Sequence, residues 1–484
     1  MIKAMCKLRN SIYVVLFMFL MQYSMAQVGI NTTTPDPSSM LDVSSTTKGM
    51  LTPRMTTAQK SLIASPANGL LVYDTDYKEF SYYDAVAGWI NIKQGRTNFK
   101  RIKSTDVLAN VLAAELLAGG GTKYVMSANT LYEINGTVLF NLPIEMNNSY
   151  ISGLDSGDDK IVRTTGNIFD GATGGTIKGL TLVAAAGKVF NISGANTENI
   201  IFRDCIVANS SDVGSIDGLG LVFFSVVQFS GNTTGIVYSN ISQLLLSNMG
   251  WFGNNSGTFE KLTGTFGLVQ KQGGFSDVTS CTFAFDVAAN PTITGDAVLE
   301  SVVFTGPPAK FVNKYTGVGT YTGYNFNNKW NVRSTGIPNE TDANATGNLY
   351  YQSSSVVNLN STTAFKLPVN TNSIRLFRTA EGSGVNSENR LIYEGDKRRA
   401  LNVLGALSFT ATAGSRYIFS IYKNGVKVIG SDVEADVSVT NARQSVSIIG
   451  TVDVVKNDYI EIYMQKPASG LEAILITSYN LIFN

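Results

Sequence analysis

One short apolar pattern recurs between residues 176 and 304, and it constrains the fold more than any other feature of this chain. Each copy has an apolar residue, two free positions, a second apolar residue, one free position and a third apolar residue. The second apolar residues of successive copies are Leu180, Cys205, Val227, Met249, Cys281 and Val302. Their spacings of 25, 22, 22, 32 and 21 residues cluster near 22. A period of that length, with occasional insertions, predicts a stacked β-solenoid.

The pattern within each copy agrees with a coil made of short strands. The second and third apolar residues alternate, as inward residues of one strand must. The two free positions hold small or polar pairs such as Lys178-Gly179 and Arg203-Asp204, which suit a corner between strands. No coil could bury its apolar residues alone, so the second apolar residues are expected to stack into one internal ladder.

The region from about residue 120 to 330 resembles the pectate-lyase-like right-handed β-helix superfamily. The resemblance implies an all-β fold centred on a right-handed parallel β-helix, and it says little about activity. Cys205 and Cys281 both fall on inward ladder positions. We expect them to be small core residues, and the alternative is a disulfide in an oxidising compartment.

The first 26 residues have the features of an export signal. Lys3, Lys7 and Arg9 precede an apolar run at residues 12–21, and small residues at Ser24 and Ala26 mark a cleavage site before Gln27. The apolar run is short for a membrane span, and an uncleaved anchor is the alternative. We therefore expect a secreted or outer-surface protein without a membrane span after cleavage.

Four further segments follow the signal peptide in the predicted domain organisation. Residues 27–100 form a loop-rich stem, residues 101–334 the parallel β-helix with an N-terminal capping helix, residues 335–347 a linker and residues 348–484 a C-terminal head. The stem motifs, Val28 to Pro35 and Asn68 to Asp74 among them, resemble an N-terminal module of exported Bacteroidota surface proteins and of phage fibre-like proteins. So thin a core gains stability by association, which predicts a homotrimer.

The C-terminal segment alternates in the manner of antiparallel strands. Asn424-Gly425 lies between two apolar runs and is a strong hairpin signal. The pattern resembles the compact, jelly-roll-like β-sandwich heads of the C1q and tumour-necrosis-factor type, which are found at the tips of trimeric fibres.

Composition excludes several kinds of chemistry. The chain contains no histidine, so histidine-based triads, general acid–base catalysis by histidine and the usual catalytic zinc sites are excluded. No Gly-rich phosphate-binding loop is present. The formal net charge of +1 argues against nucleic acid as the partner. We expect neither a metal nor a cofactor.

Two acids and four aromatic residues remain as candidates. Asp204 and Asp277 lie near predicted solenoid corners, where they could serve carbohydrate catalysis, contact a sugar without catalysis, or merely form corner hydrogen bonds. The aromatic candidates occupy a Gly-rich stretch at the end of the solenoid, and they could stack on sugars or pack against the C-terminal domain. They are Tyr315, Tyr321, Tyr324 and Phe326.

Three functions stay open. The residues favour a non-enzymatic secreted or cell-surface fibre protein that binds a polysaccharide, a cell-surface glycan or another surface. A phage-like tail fibre or tailspike is the second possibility, against which the export signal counts. The third is a polysaccharide lyase or glycoside hydrolase, against which the lack of histidine and of a clear carboxylate cluster counts.

Overall fold

The structure is a computed structural model that describes residues 27–92, 98–316, 323–383 and 388–484, with a few residues before position 16. The chain divides into two compact units, Met1–Thr97 and Asn98–Asn484. The predicted signal peptide lies almost wholly outside the described residues and stays a prediction.

The first unit is built from short strands and one helical turn. Val28–Ile30 pairs with Leu41–Val43 in parallel, and the helix Thr57–Ser61 begins with a capping box. Its four-stranded sheet consists of Arg54–Met55, Leu71–Asp74, Glu79–Asp84 and Gly88–Ile92. Among its large apolar side chains, Val72 is buried while Val28, Ile30 and Leu41 are about half exposed. The unit has too few buried side chains to form an ordinary core.

A parallel β-solenoid of about eight turns occupies the first part of the second unit, which confirms the predicted fold class. Its first sheet contains Phe99–Lys103, Leu131–Asn135, Thr137–Leu139, Tyr150–Ser152, Lys160–Arg163, Gly175–Lys178, Thr181–Ala184, Asn199–Ala208, Leu221–Ser230, Gln243–Trp251, Leu268–Asp277, Ala297–Thr305 and Trp330–Thr335. Its second sheet contains Tyr124–Val125, Ile144–Glu145, Phe169–Gly171, Lys188–Ser193, Asp212–Asp217, Ile236–Ser239, Thr258–Thr263, Phe283–Asp286 and Val312–Asn313. Thr265–Phe266 and Thr292–Ile293 form a small additional pair.

The predicted internal ladder is confirmed in most coils. Cys205 pairs with Val227, and Val227 pairs with Met249. Leu180 immediately precedes the strand that pairs with the coil of Cys205. Val302 is buried in a later strand of the same sheet. The apolar period therefore corresponds to a stack of side chains inside the solenoid.

One rung of the prediction is wrong. The residue in register with Met249 is Gly274, whereas Cys281 lies in the connection between the two sheets, where its buried thiol accepts a hydrogen bond from the Trp251 indole. In this coil the pattern positions hold Lys271, Gly274 and Ser276. Because these positions are not all apolar, the sequence pattern could not identify this coil, and Cys281 of the connection was assigned to the ladder instead. Cys205 and Cys281 are both free and buried, as expected for core residues.

A residue with a left-handed backbone conformation precedes each residue of the internal ladder. It forms the corner that was predicted from the two free positions. The φ angles are 65° at Gly179, 55° at Asp204, 54° at Val226, 51° at Asn248, 67° at Gly273 and 59° at Ser301. This conformation bends the strand at a single residue and is costly for side chains other than Gly, Asn and Asp. The corner therefore explains the polar and small residues at this position.

Two short helices, Leu108–Val111 and Ala113–Ala118, lie at the start of the solenoid. Leu108 and Leu112 are buried in the solenoid core cluster. The carboxylate of Glu115 is fully buried and pairs with the Lys100 ammonium at 2.7 Å. It also accepts a hydrogen bond from the Tyr132 hydroxyl. These contacts fasten the helices to the first coil.

The C-terminal part consists of two antiparallel sheets around one shared core. The first contains Thr346–Tyr351, Ser355–Leu359, Asn372–Phe377, Arg399–Thr410, Gln444–Val454 and Glu472–Phe483. The second contains Phe365–Lys366, Thr379–Glu381, Leu391–Tyr393, Arg416–Lys423, Val426–Lys427, Val433–Asp436 and Tyr459–Gln465. The predicted hairpin is present, with Lys423 paired to Val426 across Asn424-Gly425. The resemblance to C1q-type heads stays a prediction.

Short 3-10 turns are found at Pro308–Lys310 and Asp342–Asn344. The second turn lies in the segment predicted as a linker, residues 335–347. This segment also contributes buried carboxylates at Glu340 and Asp342. It therefore takes part in the packing between the last solenoid coil and the head.

Candidate functional site

The two candidate acids lie on different coils. Asp204 occupies a left-handed corner and pairs with Arg203 at 3.0 Å. Asp277 ends a strand three coils further along and accepts hydrogen bonds from the Thr279 backbone and hydroxyl. Three coil spacings amount to about 14 Å, whereas the two carboxyl groups of glycosidases lie within about 9.5 Å. The structure does not bring these acids together.

The described aromatic candidates are core residues at the end of the solenoid. Tyr315, Tyr324 and Phe326 are 3%, 6% and 0% exposed. The Tyr315 hydroxyl accepts from the Trp330 indole, and the ring of Phe326 lies 4.8 Å from that of Trp330. Tyr324 packs edge-on against Phe377 of the head. Their ring faces are not open to a sugar, and Tyr321 lies outside the described residues.

One arginine of the head holds the last coil in place. Arg378 is 3% exposed, and its guanidinium donates to the backbone carbonyls of Asn328 and Trp330. It also contacts Asp342 Oδ1 at 2.6 Å and the Glu340 carbonyl at 3.2 Å. Sequence reasoning missed this residue, because a single arginine between two strands gives no signal of its long-range partners.

Glu340 is the second polar anchor of this junction. Its carboxylate is fully buried and accepts hydrogen bonds from the backbone N–H groups of Asn325 and Phe326. Burial raises the pKa of Glu340 to about 7, although these hydrogen bonds and the nearby Arg378 act in the opposite direction. The group therefore titrates near neutral pH.

A polar cleft of about 450 Å³ opens beside this junction. The last solenoid strand contributes Asn331 and Arg333, and the following segment contributes Asn339 and Thr341. The head contributes three consecutive basic residues, Lys397, Arg398 and Arg399. The cleft therefore combines residues that lie more than fifty positions apart in the chain.

The charge of the cleft is strongly positive. Asp342 is the only acid in its lining, and this carboxylate is already engaged by Arg378 and by the Lys397 backbone N–H. Arg333 and Arg398 make ion pairs with Glu300 and Asp453, but their side chains remain 68% and 71% exposed. Such exposed pairs are weak and leave the guanidinium groups available to an anion.

The arrangement suits recognition of an anion better than bond cleavage. Guanidinium groups bind carboxylate, sulfate or phosphate through paired, charge-assisted hydrogen bonds, and the Asn and Thr side chains can bond sugar hydroxyls. The Arg399 Nε is buried without a partner among the described residues. Over the described ranges, no group of three or more His, Cys, Asp or Glu side chains could hold a metal ion. No described helix is long and apolar enough to cross a membrane.

Comparison with known protein families gives one match. Residues 29–106 match the model of the phage tail like trimerisation region. The match includes the predicted stem and continues into the first solenoid strand. Comparison with curated proteins finds no match.

Several solved structures that match this chain come from phages. ORF18 of Geobacillus virus E2 is 11% identical, with 84% of this chain and 89% of that chain covered and a TM-score of 0.26. The enzymatically active domain of tailspike protein 4 from bacteriophage CBA120 is 11% identical, with 90% and 77% covered and a TM-score of 0.17. Tailspike gp49 from Acinetobacter baumannii bacteriophage Fri1, a capsular polysaccharide depolymerase, is 10% identical, with 89% and 98% covered and a TM-score of 0.19. These TM-scores are too low for the likeness to bear on function.

Proposed function

We propose that this chain is one subunit of a trimeric, phage tail-like fibre that attaches to an acidic glycan on a cell surface. The observation that carries the proposal is the trimerisation match at residues 29–106, which ends inside the solenoid. It favours the tail-fibre possibility over the secreted adhesin that the residues alone favoured.

The first unit supports the trimeric state. Val28, Ile30 and Leu41 expose more than half of their surface, although they belong to regular strands. Apolar strand residues that are exposed in a single chain are expected to be covered by other copies. Association would supply the core that the unit lacks.

The cleft at the junction of solenoid and head supports the choice of an acidic glycan. Four basic residues surround a volume sufficient for one or two sugar rings, and the single carboxylate among them is neutralised. A uronic acid or a sulfated sugar would place its anionic group against Arg333 or Arg398. We propose binding without cleavage, since the two candidate acids, Asp204 and Asp277, lie on separate coils.

The trimer can be tested by light scattering. The native protein should have about three times the mass of the same chain measured in denaturant. A native mass equal to that of one chain would refute the proposal.

The ligand can be tested by titrating the protein with polygalacturonate and chondroitin sulfate, with neutral dextran as the comparison. The double variant Arg333→Ala, Arg398→Ala should weaken binding of the acidic polymers at least tenfold, because it removes two phosphate- or carboxylate-binding groups. The matched control is Arg416→Ala, which removes an exposed, paired arginine that does not line the cleft. Equal binding by the double variant would refute the assignment of the cleft. Release of new reducing ends, lost in Asp204→Asn or Asp277→Asn, would instead support the lyase or hydrolase.

A further inference from the structure

An apolar row runs along the outer surface of the first solenoid sheet. It begins with Phe99, Leu131 and Tyr150 in the first coils. Thr176 pairs with both Tyr150 and Ile201 and is the one polar residue in this part of the row. The row continues with Ile201, Phe223 and Leu245, which are paired one above the other. We call it the outer apolar row.

The row points away from the core. Ile201 lies between the buried residues Ile200 and Phe202, and Phe223 lies between Val222 and Phe224 in the same way. Since neighbouring side chains of a strand point to opposite faces, Ile201 and Phe223 face outward. The side chain of Tyr150 is 48% exposed.

The row continues to the last coils of the solenoid. Gln270 follows Leu245 and pairs with Val298. The row ends there, because the next paired residue, Asn331, is polar and lines the cleft. The row therefore passes through nine paired strands and is about 38 Å long, because successive strands lie about 4.8 Å apart.

The second solenoid sheet shows that an apolar outer row is not a general property of this solenoid. Its corresponding outward positions are Asp170, Asn191, Ser215, Val237 and Lys261. Four of these five residues are polar or charged, as partial solvent exposure requires. The outer apolar row of the first sheet has no such explanation in a single chain.

We propose that the outer apolar row is the surface along which the solenoids of the trimer pack against one another. The inference rests on the trimeric fibre proposed above. Phe99 begins the row and lies inside the matched trimerisation region, so the row continues directly from the segment assigned to trimer formation. A second copy is therefore the occupant that the position of the row favours.

The dimensions and the surroundings of the row fit such an interface. Outward rows of one sheet lie about 6.6 Å apart, so three rows over about 38 Å cover about 750 Å², close to the ~800 Å² per partner of a stable interface. The adjacent outward row begins with the ion pair of Arg101 and Glu133 at 2.5 Å and supplies a polar rim. The net charge of +1 creates little repulsion between copies.

Thiol accessibility in the native full chain tests this surface directly. Leu245→Cys would be compared with Val237→Cys, because both native side chains are half-buried outward residues of neighbouring coils. Cys205 and Cys281 are buried and serve as an internal background. The thiol at position 245 should react with a maleimide at least tenfold more slowly than the thiol at 237, and the difference should vanish in denaturant.

A pair of charged variants gives a second measurement. Phe223→Glu with Leu245→Glu should produce monomers in light scattering or lower the temperature at which the trimer dissociates. Ser215→Glu with Val237→Glu on the second sheet should leave the trimer unchanged, and circular dichroism would verify that both variants keep their strands.

The outcomes separate this inference from the proposed function. A wild-type trimer whose thiols at 245 and 237 react equally fast, or which tolerates both glutamates at 223 and 245, would overturn the packing surface and leave the trimeric fibre standing. A wild-type monomer would overturn both.

Discussion

Removing the buried ion pair inside the solenoid should have opposite effects depending on whether one or both partners are replaced. Lys271 Nζ lies 2.8 Å from Glu260 Oε2, and the two side chains are 1% and 0% exposed. Lys271 takes the place of the first apolar residue of its coil, in register with Leu246 and Leu299. Its ammonium also lies 5.0 Å from the centre of the Phe259 ring.

The magnitude follows from the cost of leaving a charge unpaired in the core. In Lys271→Leu the carboxylate of Glu260 loses the cation that opposes the burial-induced rise of its pKa. Breaking a buried pair in this way costs about 3–5 kcal/mol. In Lys271→Leu with Glu260→Leu both charges are gone and apolar contacts replace them. Such replacements are neutral or stabilise by about 1–4 kcal/mol, so the double variant should be more stable than the single variant by at least ~3 kcal/mol.

Guanidinium unfolding followed by tryptophan fluorescence is a suitable assay. Trp251 is fully buried and stacks on Phe259 at 4.4 Å, so its emission reports on the coil that contains Glu260, next to the coil of Lys271. The midpoints and unfolding rates of wild type, both single variants and the double variant would form a mutant cycle.

The stability of Lys271→Leu as a function of pH is an independent test of this reasoning. Because the folded pKa of Glu260 is raised, proton uptake stabilises the folded state at low pH, and that stability is lost as pH rises through the folded pKa. Lys271→Leu should therefore be less damaging at pH 5 than at pH 8. A double variant less stable than Lys271→Leu, or a single variant as stable as wild type, would refute the reasoning.

Three further changes test the corner and the junction. Val226→Asn should stabilise the protein by about 1 kcal/mol, because Val226 is half exposed at φ 54° and Asn tolerates this conformation better. The guanidinium midpoint should therefore rise, and a lower midpoint would contradict the explanation of the corner. Arg378→Met should destabilise the head by about 3–5 kcal/mol, because Asp342 loses its buried partner. Thermal unfolding would measure this loss, and an unchanged unfolding temperature would show that Arg378 does not hold the last coil in place. The raised pKa of Glu340, about 7 against 4.5 when unfolded, predicts that stability decreases by up to about 3 kcal/mol as pH rises from 4.5 to 7. Glu340→Gln should flatten this dependence in unfolding measurements at several pH values, and an unaltered profile would exclude Glu340 as its source.

The apolar period by itself predicted the solenoid and most of its inner ladder. Leu180, Val227 and Val302 were assigned to one stack from spacing alone, and the sheet pairings agree. The hairpin at Asn424-Gly425 was equally readable, because a tight turn is encoded by two adjacent residues. Signals of this kind lie in adjacent residues or in a strict period, so they can be recognised without knowing which distant residues are in contact.

The remainder was decided by tertiary structure. A lysine such as Lys271 predicts a surface position from sequence, and only the second sheet, which places Glu260 beside it, explains its burial. The coil that contains Gly274 was therefore missed. The sequence left open whether Tyr315 and Tyr324 stack on sugars or pack inward, and the structure buries Tyr315 beside Trp330 and Tyr324 against Phe377 of the head. The cleft joins Arg333 to Arg398 across 65 positions of sequence. Burial of a charge and the shape of a cleft depend on which strands meet in space, and no local pattern of residues records that.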